Sequence, residues 1–103
     1  MRGFAYLLFA LVNTSVFGQY QLSGLVKSGE DQKPLIGATV LLQELNLVRA
    51  SDNNGAFLFR DLPAGNYILR ISYVEFQSQL KQVTLDQNVA VEIDLDPDVR
   101  MTD

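Results

Sequence analysis

The side chains here that could do chemistry are carboxylates, hydroxyls and aromatics, because the 103-residue chain contains no histidine and no cysteine. A serine nucleophile needs a base beside it. Ser72, next to Tyr73, has no imidazole to call on and reads as an outward-facing strand residue. Paired carboxylates can work on a glycosidic bond, and Glu92, Asp94 and Asp96 stand at strand spacing on one face. The simpler reading is a solvated acidic face that blocks edge-to-edge pairing. Asp52-Asn53-Asn54-Gly55 has the oxygen-rich look of a calcium loop. An EF-hand loop, however, places an acid about five positions before its glycine and a glutamate about six after it, where this chain has Ala50 and Asp61. The segment therefore reads as a turn. Gly55 and Gly65 lie between strands rather than opening a helix, so they form no phosphate loop. Phe57, Phe59, Tyr67 and Tyr73 could stack against a sugar, but their register points inward and makes them core. Without Cys or His the usual ligands of zinc, haem and iron–sulfur clusters are missing. No residue is singled out as catalytic, cofactor-binding or metal-binding, no cofactor is expected, and the chain is not expected to be an enzyme.

The elements that hold these residues follow a period of two, with Gly, Pro, Asn and Asp at the breaks, which predicts strands. Tyr67, Leu69, Ile71 and Tyr73 fall on one face, and Ile68, Arg70, Ser72 and Val74 on the other. Val89, Val91, Ile93 and Leu95 alternate with Ala90, Glu92 and Asp94, which predicts a half-buried strand with an acidic outer side. A first strand is expected from Tyr20 to Lys27, with Leu22, Gly24 and Val26 on one face, and a second from Gly37 to Glu44, with Ala38, Val40 and Leu42. Between them Ser28 to Lys33 is a polar loop closed by Pro34. A short strand is expected from Leu47 to Ala50, then a hairpin turn at Asp52–Gly55 leading to Phe57 and Phe59. Asp61-Leu62-Pro63-Ala64-Gly65 is the next break, and a strand from Phe76 to Leu85 follows a kink at Glu75. About seven closely spaced strands with no helical period predict an all-β, seven-stranded antiparallel sandwich.

Ahead of this domain Arg2 precedes an uncharged apolar run, Phe4 to Val12, which has the size of a signal-peptide hydrophobic region. It is far shorter than the roughly 20 apolar residues a membrane-spanning helix needs. Val16 and Gly18 place the expected cleavage between Gly18 and Gln19. The expected organisation is a signal peptide at 1–18, a β-sandwich at 19–95, and a linker or tail at 96–103, where Pro97 stops the last strand. From residue 19 onward the chain keeps seven of its eight basic residues and all twelve acidic ones, a net charge of −5. Such a surface repels phosphates, so nucleic acid is a poor partner. An exported chain without cysteine must be held by core packing alone.

The run Ser51-Asp52-Asn53-Asn54-Gly55-Ala56-Phe57, followed by Leu62-Pro63-Ala64-Gly65-Asn66-Tyr67 and Ile71-Ser72-Tyr73-Val74, resembles the carboxypeptidase-regulatory-like domains. Leu22-Ser23-Gly24-Leu25-Val26 and Pro34-Leu35-Ile36-Gly37-Ala38-Thr39-Val40 resemble the first two strands of the same pattern, so the likeness covers Tyr20 to Leu95. It implies a transthyretin-like, Ig-like β-sandwich. One departure stands out: the family usually has Gly-Tyr where this chain has Glu75-Phe76.

A signal peptide followed at once by such a domain resembles the N-terminus of TonB-dependent outer-membrane receptors of Bacteroidetes. There the sandwich lies in the periplasm, ahead of a plug and barrel that take up glycans or other large nutrients. The resemblance implies a module whose partner is that plug and barrel or a periplasmic protein, at the periplasmic face of the outer membrane. Two alternatives stay open. One is a free-standing exported or surface sandwich that binds a protein or polysaccharide through an exposed edge strand. The other is the accessory domain of a metallocarboxypeptidase, which this chain could serve only without supplying zinc ligands.

Overall fold

The computed structural model describes residues 19–98. The expected signal peptide at 1–18 and the end of the expected tail at 99–103 lie outside the described residues.

Seven strands fill the described region: β1 (Tyr20–Ser28), β2 (Thr39–Leu42), β3 (Leu47–Ala50), β4 (Ala56–Leu62), β5 (Gly65–Ser72), β6 (Gln79–Leu85) and β7 (Val89–Leu95). They form two sheets, one ordered β4-β1-β7 and the other β3-β2-β5-β6. Alternation sets the core, because each strand turns its apolar face toward the opposite sheet. The three-stranded sheet contributes Leu22, Val26, Phe57, Phe59, Ile93 and Leu95, all buried. The four-stranded sheet answers with Val40, Leu42, Tyr67, Leu69, Ile71, Val83 and Leu85. Gly24 belongs to the same inward row. A Cβ there would lie 2.5 Å from the Phe57 ring and 2.9 Å from Val91 Cγ2, so the missing side chain is the space Phe57 occupies.

The pairing corrects several expectations. Not every pair is antiparallel: β7 runs parallel to β1, from Leu22 opposite Val89 to Ser28 opposite Leu95. The Asp52–Gly55 turn does not close a hairpin. β3 pairs with β2 in one sheet and β4 pairs antiparallel with β1 in the other, so the turn carries the chain across the sandwich. The tight hairpin is β2–β3, with Leu42 opposite Leu47 across the 3-10 turn Gln43–Leu45. That turn also ends β2 at Leu42 rather than Glu44. As the chain lifts away, the Glu44 carboxylate accepts the Ile68 N–H at 2.9 Å, taking the place of the strand carbonyl that would have lain there.

The sixth strand is shorter at its start than the expected Phe76 to Leu85. β6 begins at Gln79, because the chain turns at Tyr73–Phe76 with the Phe76 N–H donating to the Tyr73 carbonyl. Phe76 instead bridges Pro97, while the Gln77 N–H donates to the Asp96 carbonyl and the Asp98 N–H to the Glu75 carbonyl. Residues 96–98, expected to begin a linker, are thus tied to the 73–77 turn.

Glu75 sits at the centre of that turn with φ of 68°, in the left-handed region. The position that departs from the family pattern does take a glycine-like torsion, and the glutamate adopts it at a cost of about 1–2 kcal/mol. Glu75→Gly removes the clash but adds unfolded-state entropy of roughly 0.5–1 kcal/mol. We expect a net gain of about 0.5–1 kcal/mol, read as a rise of several degrees in the melting temperature. An unchanged or lower melting temperature would mean that the glutamate side chain repays its own strain.

Candidate functional site

The residues singled out for chemistry do not converge. Ser72 ends β5 opposite Thr39, half-buried, with no base beside it. Glu92 and Asp94 lie exposed along β7, an edge strand, and Asp96 follows in the turn. Lys27 meets Glu92 at 3.4 Å in a surface ion pair of the kind worth little. Phe57, Phe59 and Tyr67 are core, and Tyr73 is half-buried against Phe76, with ring centroids 5.6 Å apart. The inward reading of the aromatics holds for the first three, and Tyr73 packs partly buried against the same core. Among the described residues no group of three or more carboxylates is placed to hold a metal ion, and no helix is long and apolar enough to cross a membrane.

The turn that resembled a calcium loop spends its acid on the backbone. Asp52 Oδ1 accepts the N–H groups of Asn54 and Ala56, each at 2.9 Å, and the Gly55 N–H donates to the Asp52 carbonyl. Only Gly55 takes a positive φ, 77°. The bonds from Ala56 and then Asn54 hold the Asp52 carboxyl below its ordinary value of 3.8. Because the folded pKa is depressed, the stability Asp52 contributes is complete above pH 4 or so and is lost as the pH falls through the folded value. We expect Asp52→Asn to narrow its deficit against wild type as the pH drops from about 6 to 2. A deficit that stays constant in thermal melts across that range would count against this reading.

Tyr67 closes the opposite end of the sandwich. Its hydroxyl donates to the Pro63 carbonyl at 2.6 Å, and burial, with the nearby Glu44 charge second, pushes the phenol above its usual range. Beside it a shallow groove of about 440 Å³ is lined by Glu44, Asn66, Ile68, Gln82 and Thr84. Its polar groups are partly engaged, since the Thr84 hydroxyl donates to Asn66 Oδ1 at 2.9 Å and Glu44 holds Ile68. A second depression, on the three-stranded sheet, is lined by Ser23, Leu25, Ala56, Ala90 and Glu92 together with Gly24, Phe57 and Val91.

Two side chains matter more than the sequence reading allowed. Arg49 lies where the edges of β3 and β4 meet. Its Nε donates to the Leu58 carbonyl at 3.2 Å, its Nη1 to the Val48 carbonyl at 2.8 Å, and its guanidinium sits 5.1 Å from the centre of the Phe59 ring. It closes that side of the sandwich. Nothing local marks it, because the contact depends on which sheet each strand joins. Ser51 is 4% exposed, and its hydroxyl donates to the Leu35 carbonyl at 2.6 Å and accepts the Ala38 N–H at 2.8 Å. The Ser/Thr at the head of the family-like pattern was its signal. Among the described residues these polar constellations are structural.

The family described as CarboxypepD_reg-like domain matches residues 22–103. No curated protein matches the chain. Among solved structures, a cohesin–X-dockerin complex from Acetivibrio cellulolyticus is similar at 19% identity and a TM-score of 0.64, over 74% of this chain and 56% of that one. The minor pilin GBS52 of Streptococcus agalactiae is similar at 16% identity and 0.62, over 85% and 48%. A DUF3823 family protein from Bacteroides uniformis is similar at 15% and 0.58, over 78% and 44%. This chain spans roughly half the length of each, and at these identities the likeness is one of fold.

Proposed function

This chain belongs to the CarboxypepD_reg-like domain family, and from that premise we propose that it is a non-catalytic, exported interaction module: the periplasmic N-terminal domain of a TonB-dependent outer-membrane receptor for glycan-type nutrients. The carrying observation is the family match across residues 22–103, on a domain whose chemistry-capable side chains hold turns and sheet edges together. The apolar run Phe4–Val12 behind Arg2 supports export. Fold neighbours whose names include a cohesin–dockerin complex and a pilin support a role in protein assembly rather than catalysis. The domain would contact the receptor's plug and barrel or a periplasmic protein, while transport itself would belong to segments beyond these 103 residues.

Reading the gene past the codon for Asp103 is the first test. A frame that continues into a plug and many amphipathic strands is expected, and a stop codon there removes the receptor reading. In the continuous product, deleting residues 19–95 should impair nutrient uptake at unchanged receptor levels. Normal uptake would leave the module without the proposed role. The second reading, a free-standing exported sandwich, is favoured by one feature: an edge strand, β6, with a run of four exposed residues.

A further inference from the structure

We propose that Asn54 and Gly55 form a self-modifying site: the Asn54 side chain closes on the Gly55 nitrogen, loses ammonia and ends as aspartate or isoaspartate, and the folded turn holds this reaction off through Asp52. This goes beyond the receptor reading and stands whether or not that reading does.

Asn54 is the one asparagine of the chain that glycine follows. Gly55 has no Cβ, so the approach to its nitrogen is open. The other asparagines precede residues whose side chains crowd that approach, as Tyr67 does after Asn66 and Val89 after Asn88. Those two are also engaged, since Asn66 Oδ1 accepts the Thr84 hydroxyl and Asn88 Oδ1 accepts the Gln21 N–H. Asn54 is exposed, and among the described residues no hydrogen bond holds its side chain.

The step balances with water as its only co-reactant. The Gly55 nitrogen gives up its proton and bonds to Asn54 Cγ, and the side-chain nitrogen leaves with that proton as ammonia. Water then opens the five-membered imide at either carbonyl. One opening restores the peptide with an aspartate at this position, and the other leaves a main chain that runs through Cβ. Ring closure requires a deprotonated nitrogen held in a near-attack geometry beside Cγ.

The folded turn opposes both requirements. The Gly55 N–H donates to the Asp52 carbonyl at 2.8 Å, which keeps the proton on the nitrogen and fixes the peptide plane. The Gly55 carbonyl accepts the Val26 N–H at 2.7 Å, and a Cβ on Gly55 would lie 2.6 Å from the Val26 oxygen, so Gly55 is pinned against β1 and cannot rotate toward Cγ. Asp52 Oδ1 accepts the N–H groups of Asn54 and Ala56, each at 2.9 Å, and so fixes the peptides on both sides of the reacting pair. Its charge also stands beside a nitrogen that must become anionic to react, and like charges oppose that ionisation. Opening the turn releases every one of these constraints. The isoaspartate product then adds one carbon to the main chain between Asp52 and Ala56, where the Asp52 N–H donates to the Ala56 carbonyl at 2.9 Å to close the same turn. It does not fit, so each opening that leads to reaction is recorded in the covalent chain.

Peptide mapping by mass spectrometry tests this on the purified chain, incubated in mildly alkaline buffer with and without urea. We expect Asn54 to convert first in urea, and conversion in the folded protein to be about a hundredfold slower, as for a minor open state populated at about 1%. Asp52→Ala should raise the folded rate about tenfold through the loss of two charge-assisted bonds, and leave the rate in urea unchanged. Phe59→Leu, at a fully buried residue outside the turn, is the comparison for lost global stability. With the two variants brought to equal unfolding free energy by low urea, Asp52→Ala should still convert several-fold faster. Should alanine fail to fold, Asp52→Asn, which keeps an acceptor oxygen and drops the charge, should show a smaller rise in the same comparison. Equal rates in the folded and the urea-unfolded chain overturn protection by the turn. Equal rates for the variants at matched stability overturn the role of Asp52, and conversion at Asn66 or Asn88 ahead of Asn54 in urea overturns the site itself.

Discussion

Phe59→Ala is expected to destabilise the domain by about 3–5 kcal/mol, enough to leave it largely unfolded near physiological temperature. Phe59 is fully buried, meets Phe57 edge-on with ring centroids 6.0 Å apart, and carries the Arg49 guanidinium over its ring. Truncation removes the transfer energy of a large side chain and leaves a void that two rigid sheets cannot collapse to fill. It also removes the ring beneath Arg49, at the place where β3 and β4 are held together. Phe59→Leu, which keeps most of the volume and loses the ring face, should cost less, about 1–2 kcal/mol. Urea denaturation of the three proteins measures this. Should alanine cost under about 1.5 kcal/mol, Phe59 would not be the centre of the core that its burial indicates. A double-mutant cycle with Arg49→Met then isolates the guanidinium–ring contact. A coupling near zero would assign the closure of that edge to the Leu58 hydrogen bond alone.

Those contacts explain which parts of the fold the chain made readable. Alternation is local, so the inward faces at Leu22, Gly24 and Val26, at Ala38, Val40 and Leu42, and at Tyr67, Leu69 and Ile71 could be read directly, and they are buried or closely approached. Turn chemistry is also local. The left-handed torsion at Gly55 followed from its residue type, and a Cβ there would lie 2.6 Å from the Val26 carbonyl oxygen, so the turn has no room for one. Sheet membership is not local. Asp52–Gly55 has the residues of a hairpin turn, yet β3 and β4 part into different sheets, β4 pairing with β1, the strand that β7 also joins. The parallel β1–β7 pair links residues about seventy positions apart and leaves no mark in either strand. The bounds of β2 and β6 differ from the expected ones for a related reason: Glu44 and Phe76 are drawn out of the ladders by partners at Ile68 and Pro97. For function the same division holds. That no catalytic set could be named was readable from composition, whereas the exposure of β6 required knowing which strands lie at the edges.

Ser51→Ala is expected to cost about 2–4 kcal/mol, a drop of roughly 10–25 °C in melting temperature for a domain of this size. The figure comes from what the hydroxyl leaves behind rather than from the bonds it makes. With Ser51 4% exposed, removing Oγ strands the Leu35 carbonyl and the Ala38 N–H where water has poor access, and each unsatisfied buried group costs about 1–3 kcal/mol. The backbone of Ser51 is already committed, its N–H to Ala38 and its carbonyl to the Gly37 N–H, so it cannot shift to compensate. Those bonds join the 35–38 segment, where Leu35 and Ala38 enter the core, to the turn that crosses between sheets. The hydroxyl and these two backbone bonds together hold the entry to β2 against the exit of β3. Ser51→Thr keeps the oxygen and should retain most of the stability, whereas Ser51→Val supplies threonine's shape without it and should fall with alanine. Thermal melts of the three variants separate hydrogen bonding from volume. Alanine within about 0.5 kcal/mol of wild type would mean that a water replaces the hydroxyl at both groups. Valine as stable as threonine would mean that packing, not the hydroxyl, accounts for this position in the family-like pattern.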